Sequence, residues 1–351
     1  LPANHNVRTY RRSAEEQMKR YRLDGSGSIE GLTLEEAERP CPGRHDVLVR
    51  MRAASLNYLD LKILHGHFPA KTAGLVPLSD GAGEVVELGE DVTRLAVGDR
   101  VASTFLPHWI AGPLPADARK VQPGATIDGM LSEYVVFPEE ALVKAPAGLT
   151  YEEVSTLPCA ALTAWQLFTG ARPLLPGETV LVQGSGGVSL FALQFAKLAG
   201  ARVVATTSSA DKAARLKALG ADIVINYRDM PTWGQAVRVE TGGIGADHIV
   251  EIGEADTLEQ SITAAAVNAQ INLVGRPVGA PPIDPATLMR AIATYRRISV
   301  GSRTEFEAMN RAIEVHGLSP VIDRVFDFGQ APDAFATFGK RGHFGKIVIR
   351  I

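Results

Sequence analysis

Cysteine, net charge and long apolar runs are all scarce in this chain of 351 residues. Its two cysteines, Cys41 and Cys159, cannot build a disulfide framework, which points to a reducing compartment. Nor can they form a four-thiolate zinc site. A formal charge of -3 supplies no basic field to hold nucleic acid or an anionic membrane, so neither is expected as a partner. No apolar run reaches membrane-spanning length, and the first residues lack the apolar core and cleavage pattern of a secretory signal. A cytoplasmic location is the expectation.

What is present is an ordinary globular composition, 46% apolar and 21% charged, over a length that favours two domains. Residues 1–17 are polar and read as an N-terminal extension. From 18 to 145 short β-rich runs alternate with Gly and Pro, as in Met18–Leu23, Asp46–Met51, Gly83–Leu88 and Leu131–Val136, which predicts a β-rich domain. Residues 111–129 lack periodicity and read as a long loop. From 146 to 303 strands alternate with amphipathic helices, the grammar of a parallel sheet covered on both faces. Strands are expected at Thr179–Gln183, Arg202–Thr206, Ile223–Ile225, His248–Glu251, Gln270–Val274 and Arg297–Val300, with helices at Leu190–Ala199 and Asp211–Leu219. That is a six-strand doubly wound α/β arrangement of the Rossmann kind. Residues 304–351, with a helix over Glu305–His316 and a last strand over Lys346–Ile351, are expected to return to the first domain.

The strand ending at Gln183 runs into Gly184-Ser185-Gly186-Gly187-Val188-Ser189 and then a helix. Glycines there let the backbone approach a pyrophosphate, whose charge meets the free N–H groups of the helix N-terminus. Ser189 replaces the third glycine and is still small enough for helix–strand packing. An NAD site ordinarily ends its second strand with a carboxylate for the ribose hydroxyls; this one ends Thr206-Thr207-Ser208-Ser209. Thr207, Ser208 and Lys212 suit a 2′-phosphate instead, so NADP(H) is the expected cofactor. A surface lysine with no such role is the bland alternative for Lys212.

Further motifs extend the pattern: Ser55-Leu56-Asn57-Tyr58-Leu59-Asp60, Gly81-Ala82-Gly83-Glu84-Val85-Val86, Val97-Gly98-Asp99-Arg100-Val101, Leu157 to Ala164 and Gly342-His343-Phe344-Gly345-Lys346. With the glycine loop they make nearly everything after Met18 resemble the medium-chain dehydrogenase/reductase superfamily, its quinone oxidoreductase branch above all. The resemblance implies a GroES-like catalytic domain, a Rossmann domain and an active site in the cleft between them. It places the cofactor near Thr163, the loop from Gly184 to Ser189, Tyr227, Ile252-Gly253, Gly275-Arg276, Gly301-Ser302-Arg303 and Phe344 to Lys346. It also implies a homodimer, with a tetramer as the alternative, through the edge strand that includes Arg297–Val300.

Zinc members of that superfamily hold the metal with a Cys in the first segment, a His-Glu pair in the second and a Cys or Asp in the third. The matching positions are Asn57, Ser79-Asp80 and Cys159, short of the three protein ligands a catalytic zinc needs. No metal is expected, and Cys159 reads as a small apolar residue before a helix. His65 and His67 would share one side of a strand without a third partner. Without a Lewis acid, oxidising an unactivated alcohol is hard. Passing hydride from NADPH to a quinone or α,β-unsaturated carbonyl needs mainly orientation and donors for the developing oxyanion. Asn57, Tyr58 and Lys62 are the candidate catalytic groups, with Asp60 a local cap and Lys62 equally readable as a solvated helix lysine. A zinc-independent alcohol dehydrogenase or aldehyde reductase is the second reading, and a non-enzymatic NADPH-binding sensor or structural protein the third.

Overall fold

The computed structural model describes residues 17–70, 72–170, 172–252, 257–275 and 283–351. Gly253 and Arg276, named above for the cofactor, lie outside them. The chain opens with a hairpin of β1 (Gln17–Leu23) and β2 (Leu32–Glu38), paired antiparallel from Gln17↔Glu38 to Leu23↔Leu32. There follow β3 (Asp46–Ser55), α1 (Tyr58–Leu64), β4 (Asp80–Leu88), β5 (Arg100–Ser103), β6 (Tyr134–Pro138) and β7 (Leu142–Lys144). β3 alternates apolar residues such as Val47, Val49 and Met51, which are buried, with the outward Arg50. One face of its sheet thereby seals a core with Leu56, Ile63, Leu78 and Met130.

The next stretch holds α2 (Tyr151–Val154), α3 (Leu162–Thr169), β8 (Thr179–Gln183), α4 (Gly187–Leu198), β9 (Arg202–Thr207), α5 (Ala210–Ala218) and β10 (Ile223–Asn226). It continues with α6 (Trp233–Glu240), β11 (Ala246–Glu251), α7 (Thr257–Ala264), β12 (Ala265–Val274), α8 (Pro285–Leu288) and β13 (Ala293–Ile298). The six strands pair in parallel in the order β10-β9-β8-β11-β12-β13. Every residue of β8 is buried, as a central strand with helices on both faces requires. The order reverses between β8 and β11, and ligands of such sheets bind beyond the carboxyl ends of the strands at that switch point.

The chain ends with α9 (Arg303–His316), β14 (Ile322–Asp327), α10 (Ala331–Gly339) and β15 (Lys346–Arg350). α9 starts on a reciprocal capping box, Ser302 with Glu305, and stops at Gly317, whose φ of +61° is left-handed. β15 is sandwiched between β14 and β3, completing a seven-stranded sheet, so the last strand is threaded back beside the first domain's longest one. Because β3 leads directly into Asn57 and β15 begins at Lys346, this pairing is what brings positions 57 and 346 together.

Several expected boundaries move. The run Leu131–Val136 forms a strand only from Tyr134, because Leu131 and Ser132 turn to meet β1. The outer strand is Ala293–Ile298, earlier than Arg297–Val300, since Val300 packs into a separate apolar cluster. β14 and α10 were not foreseen. α9 does not join the first sheet alone: Phe306, Met309 and Ile313 enter the same core as Leu162 and Leu167 of α3 and Val143 of β7. His65 and His67 follow α1 and are not on a strand; the His65 Nδ1 lies 2.9 Å from the Gly27 carbonyl.

Candidate active site

At the end of β8 the backbone reverses at Gly184, where φ is +69°, a conformation that costs a side-chain-bearing residue energy. A Cβ at Gly184 or Gly186 would meet nothing within 4 Å, so the loop faces open space. Gly186 caps α4 without any side-chain bond, so no side chain covers the positive end of the helix. Ser189 donates to the Gln183 carbonyl at 2.6 Å and closes the turn from inside. Gly187 is glycine for another reason: a Cβ there would lie 2.7 Å from Lys346 Cδ and 3.2 Å from Ala160 Cβ. The C-terminal segment crosses this loop, with the Gly345 amide donating to the Ser185 carbonyl at 2.8 Å. These residues fit a dinucleotide's pyrophosphate: backbone amides of a glycine loop, a helix N-terminus and no capping side chain in the way.

Around the loop, Thr207 is buried at the end of β9 and Ser208 follows it. Ser209 caps α5 by accepting from the Lys212 amide, and the Lys212 ammonium donates to the His343 carbonyl at 3.0 Å. Burial lowers the Lys212 pKa. Tyr227 is exposed just beyond β10. The Ile252 amide donates to Gln183 Oε1 at 3.3 Å, and Gly275 ends β12 at φ +81°. Phe344 is buried with the Arg215 guanidinium over its ring. Thr163 is on α3, buried, and Val188 is in the first turn of α4. Gly301 packs against Leu162 and Ser302 caps α9. Arg303 turns its guanidinium to Glu140 and Glu307.

Below the loop lies a buried polar cluster. Asn57 caps α1 in a box with Asp60, whose carboxylate accepts from the Asn57 amide at 2.6 Å. Asp80 accepts from the Ser79 hydroxyl at 2.8 Å and from the Cys159 amide at 3.0 Å. Cys159 sits in a π-helical turn, Leu157–Ala161, an irregularity frequent at functional sites. The Lys346 ammonium donates to the Leu56 carbonyl at 2.5 Å and to Asn57 Oδ1 at 2.6 Å. Desolvation pushes the Asp60 pKa up to about 7 and raises that of Asp80, against the pull of Lys346 on both. Burial, then the Asp80 charge, drives the Cys159 thiol well above its ordinary value. Cys159 and Leu59 also border an apolar cluster of Phe105, Leu106, Trp109, Ala118 and Val300.

Of the other two candidate catalytic residues, Tyr58 faces outward and Lys62 does not. Tyr58 is 45% exposed and its hydroxyl accepts from Arg341 at 2.8 Å. The Arg341 guanidinium and the Lys62 ammonium lie 5.0 and 4.9 Å from its ring centroid. Lys62 is buried rather than solvated, its stem packed in α1. The resemblance already grouped Asn57, Ser79-Asp80 and Cys159 as the positions that hold zinc in other members; what sequence reading did not foresee is that Lys346, expected beside the cofactor, joins them through Asn57.

Two family models match the chain: "Alcohol dehydrogenase GroES-like domain" over residues 43–147 and "Zinc-binding dehydrogenase" over 187–314. A zinc-type alcohol dehydrogenase-like protein of Schizosaccharomyces pombe is 40% identical over 93% of this chain and 97% of its own length. The chain belongs to the medium-chain dehydrogenase/reductase superfamily. A putative alcohol dehydrogenase from Sinorhizobium meliloti 1021 superposes with a TM-score of 0.89 at 40% identity, covering 96% of this chain and 99% of that one. A quinone oxidoreductase of Pseudomonas aeruginosa is 36% identical over 60% of this chain and 58% of its own. The chain is thus an oxidoreductase of this superfamily, built from a GroES-like domain and a Rossmann sheet, and the superfamily binds a nicotinamide cofactor.

Its zinc members raise the question of fit. Among the described residues no group of three or more His, Cys, Asp or Glu side chains is disposed to hold a metal ion. The ligand positions carry an amide at 57, a hydroxyl and a carboxylate at 79 and 80, and a thiol at 159, with an ammonium donating into the amide. A cation at that point repels a second one, so these residues do not fit zinc.

Proposed function

We propose that this oxidoreductase transfers a hydride from NADPH to a quinone or an α,β-unsaturated carbonyl without a metal. The observation that carries the reading is the donor set on the cleft floor: amide, hydroxyl, carboxylate and thiol with a lysine ammonium among them. Among the described residues it holds no metal-binding set that would coordinate and deprotonate an alcohol hydroxyl, whereas an acceptor already short of electrons needs orientation and a donor for its oxygen. Bound nicotinamide supplies the hydride. The chain's own residues do the rest. Asn57 offers an amide donor to the acceptor's oxygen, while Tyr58 and Lys62 flank the entrance. Leu59, Cys159 and the cluster of Phe105, Leu106 and Trp109 exclude water beside it.

The pyrophosphate is assigned to Gly184, Ser185, Gly186, Gly187 and Val188. Thr207, Ser208 and Lys212 take the 2′-phosphate, with Tyr227 beneath the adenosine, because β9 ends without a carboxylate. Thr163, Ile252, Gly275, Gly301 and Phe344 line the remaining path. The protein is a cytoplasmic homodimer in this reading. The names of its relatives in Schizosaccharomyces pombe and Sinorhizobium meliloti read alcohol dehydrogenase, the first of zinc type, and so favour a second reading of the substrate, an alcohol dehydrogenase or aldehyde reductase; its metal independence rests on the donor set alone. Initial rates decide: NADPH with 1,4-naphthoquinone and 2-cyclohexenone against NADPH with benzaldehyde and NADP+ with primary and secondary alcohols. Faster turnover of the first pair by at least tenfold is expected; the reverse ranking supports the second reading.

A further inference from the structure

Gln183, the last residue of β8, is buried at the switch point and bonded in three directions. Its backbone carbonyl accepts from the Ser189 hydroxyl of the phosphate loop at 2.6 Å. Its side-chain Nε2 donates to Glu251 Oε2 at 2.9 Å and to Ser261 Oγ at 2.7 Å, while its Oε1 accepts from the Ile252 amide at 3.3 Å. Glu251 ends β11 and is only 1% exposed. Among its bonds are those it accepts from the Thr257 and Ser261 hydroxyls, each at 2.5 Å. These two residues stand one helical turn apart on α7, so both reach the same carboxylate.

The donors and acceptors of this network fix its orientation. An ionised carboxylate only accepts, so the Gln183 NH2 group must face Glu251 and its oxygen must face the Ile252 amide. Turning the side chain over would set oxygen against oxygen on one side and N–H against N–H on the other. Burying a carboxylate costs hydration that a Met or Leu would not forfeit, and the cost is offset only while its donors stay in place. The phosphate loop, the end of β11 and the first turns of α7 are thereby tied into one unit. Ile252 and Thr257 stand at the two ends of the β11–α7 connection. The strand order gives that connection its place: β9, where the 2′-phosphate is assigned, lies on one side of β8 and β11 on the other. A dinucleotide laid across the phosphate loop with its adenosine toward β9 carries its nicotinamide half toward β11.

We propose that Gln183 and Glu251 are positioning residues for the nicotinamide half of the cofactor: through Ile252, Thr257 and Ser261 they hold the β11–α7 connection in a fixed relation to the phosphate loop. This rests on the reading of the crevice as an NADP(H) site. The adenosine half, assigned to the ends of β9 and β10 and to α5, does not depend on them, so the two halves of the cofactor report on the network separately.

The test measures Kd for NADPH and for 2′,5′-ADP, which carries the adenosine half alone, at pH 6 and pH 8.5. The proteins are full-length wild type, Gln183→Glu, Ser261→Ala, and the exchanged pair Gln183→Glu with Glu251→Gln. Of the described groups bonded to Gln183, only Glu251 titrates. In Gln183→Glu two carboxylates meet; at low pH they share a proton that replaces the lost N–H, and at high pH they repel. NADPH should therefore bind within about threefold of wild type at pH 6 and at least about tenfold more weakly at pH 8.5. The exchanged pair again has one amide and one carboxylate, and should return to within about threefold of wild type at both pH values. Binding of 2′,5′-ADP should stay within about twofold throughout. Ser261→Ala carries the test if Gln183→Glu does not fold, and should weaken NADPH by at least about threefold while sparing 2′,5′-ADP. Equal weakening of NADPH and 2′,5′-ADP, unchanged NADPH binding, a loss in Gln183→Glu that is the same at both pH values, or an exchanged pair no better than Gln183→Glu would each overturn the proposal. Wild type that binds NADH but not NADPH would overturn the NADP(H) reading instead; the same ratios, taken with NADH and ADP, then decide this proposal.

Discussion

Lys212 offers a graded test of the cofactor assignment. Its ammonium already donates to the His343 carbonyl at 3.0 Å, so it is held at the rim of the crevice before any ligand arrives. A 2′-phosphate placed at the end of β9 would gain a charge-assisted bond, of about 1.5–3 kcal/mol in a sheltered site. Lys212 is only partly buried, and solvent screening together with the competing carbonyl brings the expected contribution to the lower end, about 1.5 kcal/mol. In binding terms that is roughly tenfold. Titration of wild type and Lys212→Ala with NADPH and NADH, followed by cofactor fluorescence, reads it directly. NADPH should weaken by about tenfold and NADH by less than about twofold. If both cofactors weaken equally, Lys212 acts only by holding the segment at His343, and the assignment of the 2′-phosphate is wrong.

Two other outcomes follow from the electrostatics. Cys41 is exposed whereas burial and the Asp80 charge raise the Cys159 pKa well above its ordinary value. One thiol should therefore react with a disulfide reagent quickly at pH 8 and the second slowly, and NADPH should protect the slow one further. His248 is fully buried, with the Arg172 guanidinium and Glu178 beside it, and desolvation and Arg172 hold its pKa well below the usual 6.5. Below pH 6.5 the unfolded chain therefore binds the proton more readily than the folded one, and the stability this ring contributes at neutral pH is lost on acidification. The melting temperature should fall from pH 7 to pH 5, less steeply in His248→Gln; equal slopes would show that other groups control the acid limb.

What could be read from the sequence was local. Thr179–Gln183 followed by Gly184 to Ser189 announces a strand, a tight turn and a helix within a few residues, and the structure has that unit. The absence of a carboxylate after Thr206 is equally local. The cluster around Lys346 is not, because Lys346 and Asn57 stand 289 positions apart and meet only when β15 pairs with β3. A lysine opening a terminal strand carries no sign that its charge will be buried. Lys62 misled in the same way: on a short amphipathic helix it looks solvated, yet Tyr58 covers it. β14 escaped notice because Asp323, Arg324 and Asp327 interrupt its apolar pattern, and the outer strand was displaced because Ile298 and Val300 are more apolar than the half-exposed Ala293–Arg297 that pairs with β12.

The central claim is that hydride passes from NADPH to an electron-poor acceptor with no metal in the site. Its most direct test is a single-turnover measurement at 340 nm. Enzyme is exhaustively treated with chelator and checked for metal content, then mixed with NADPH and 1,4-naphthoquinone or 2-cyclohexenone. The account predicts a rate equal to that of untreated enzyme, with no gain on adding zinc. Loss of the rate on chelation, restored by zinc, would contradict it.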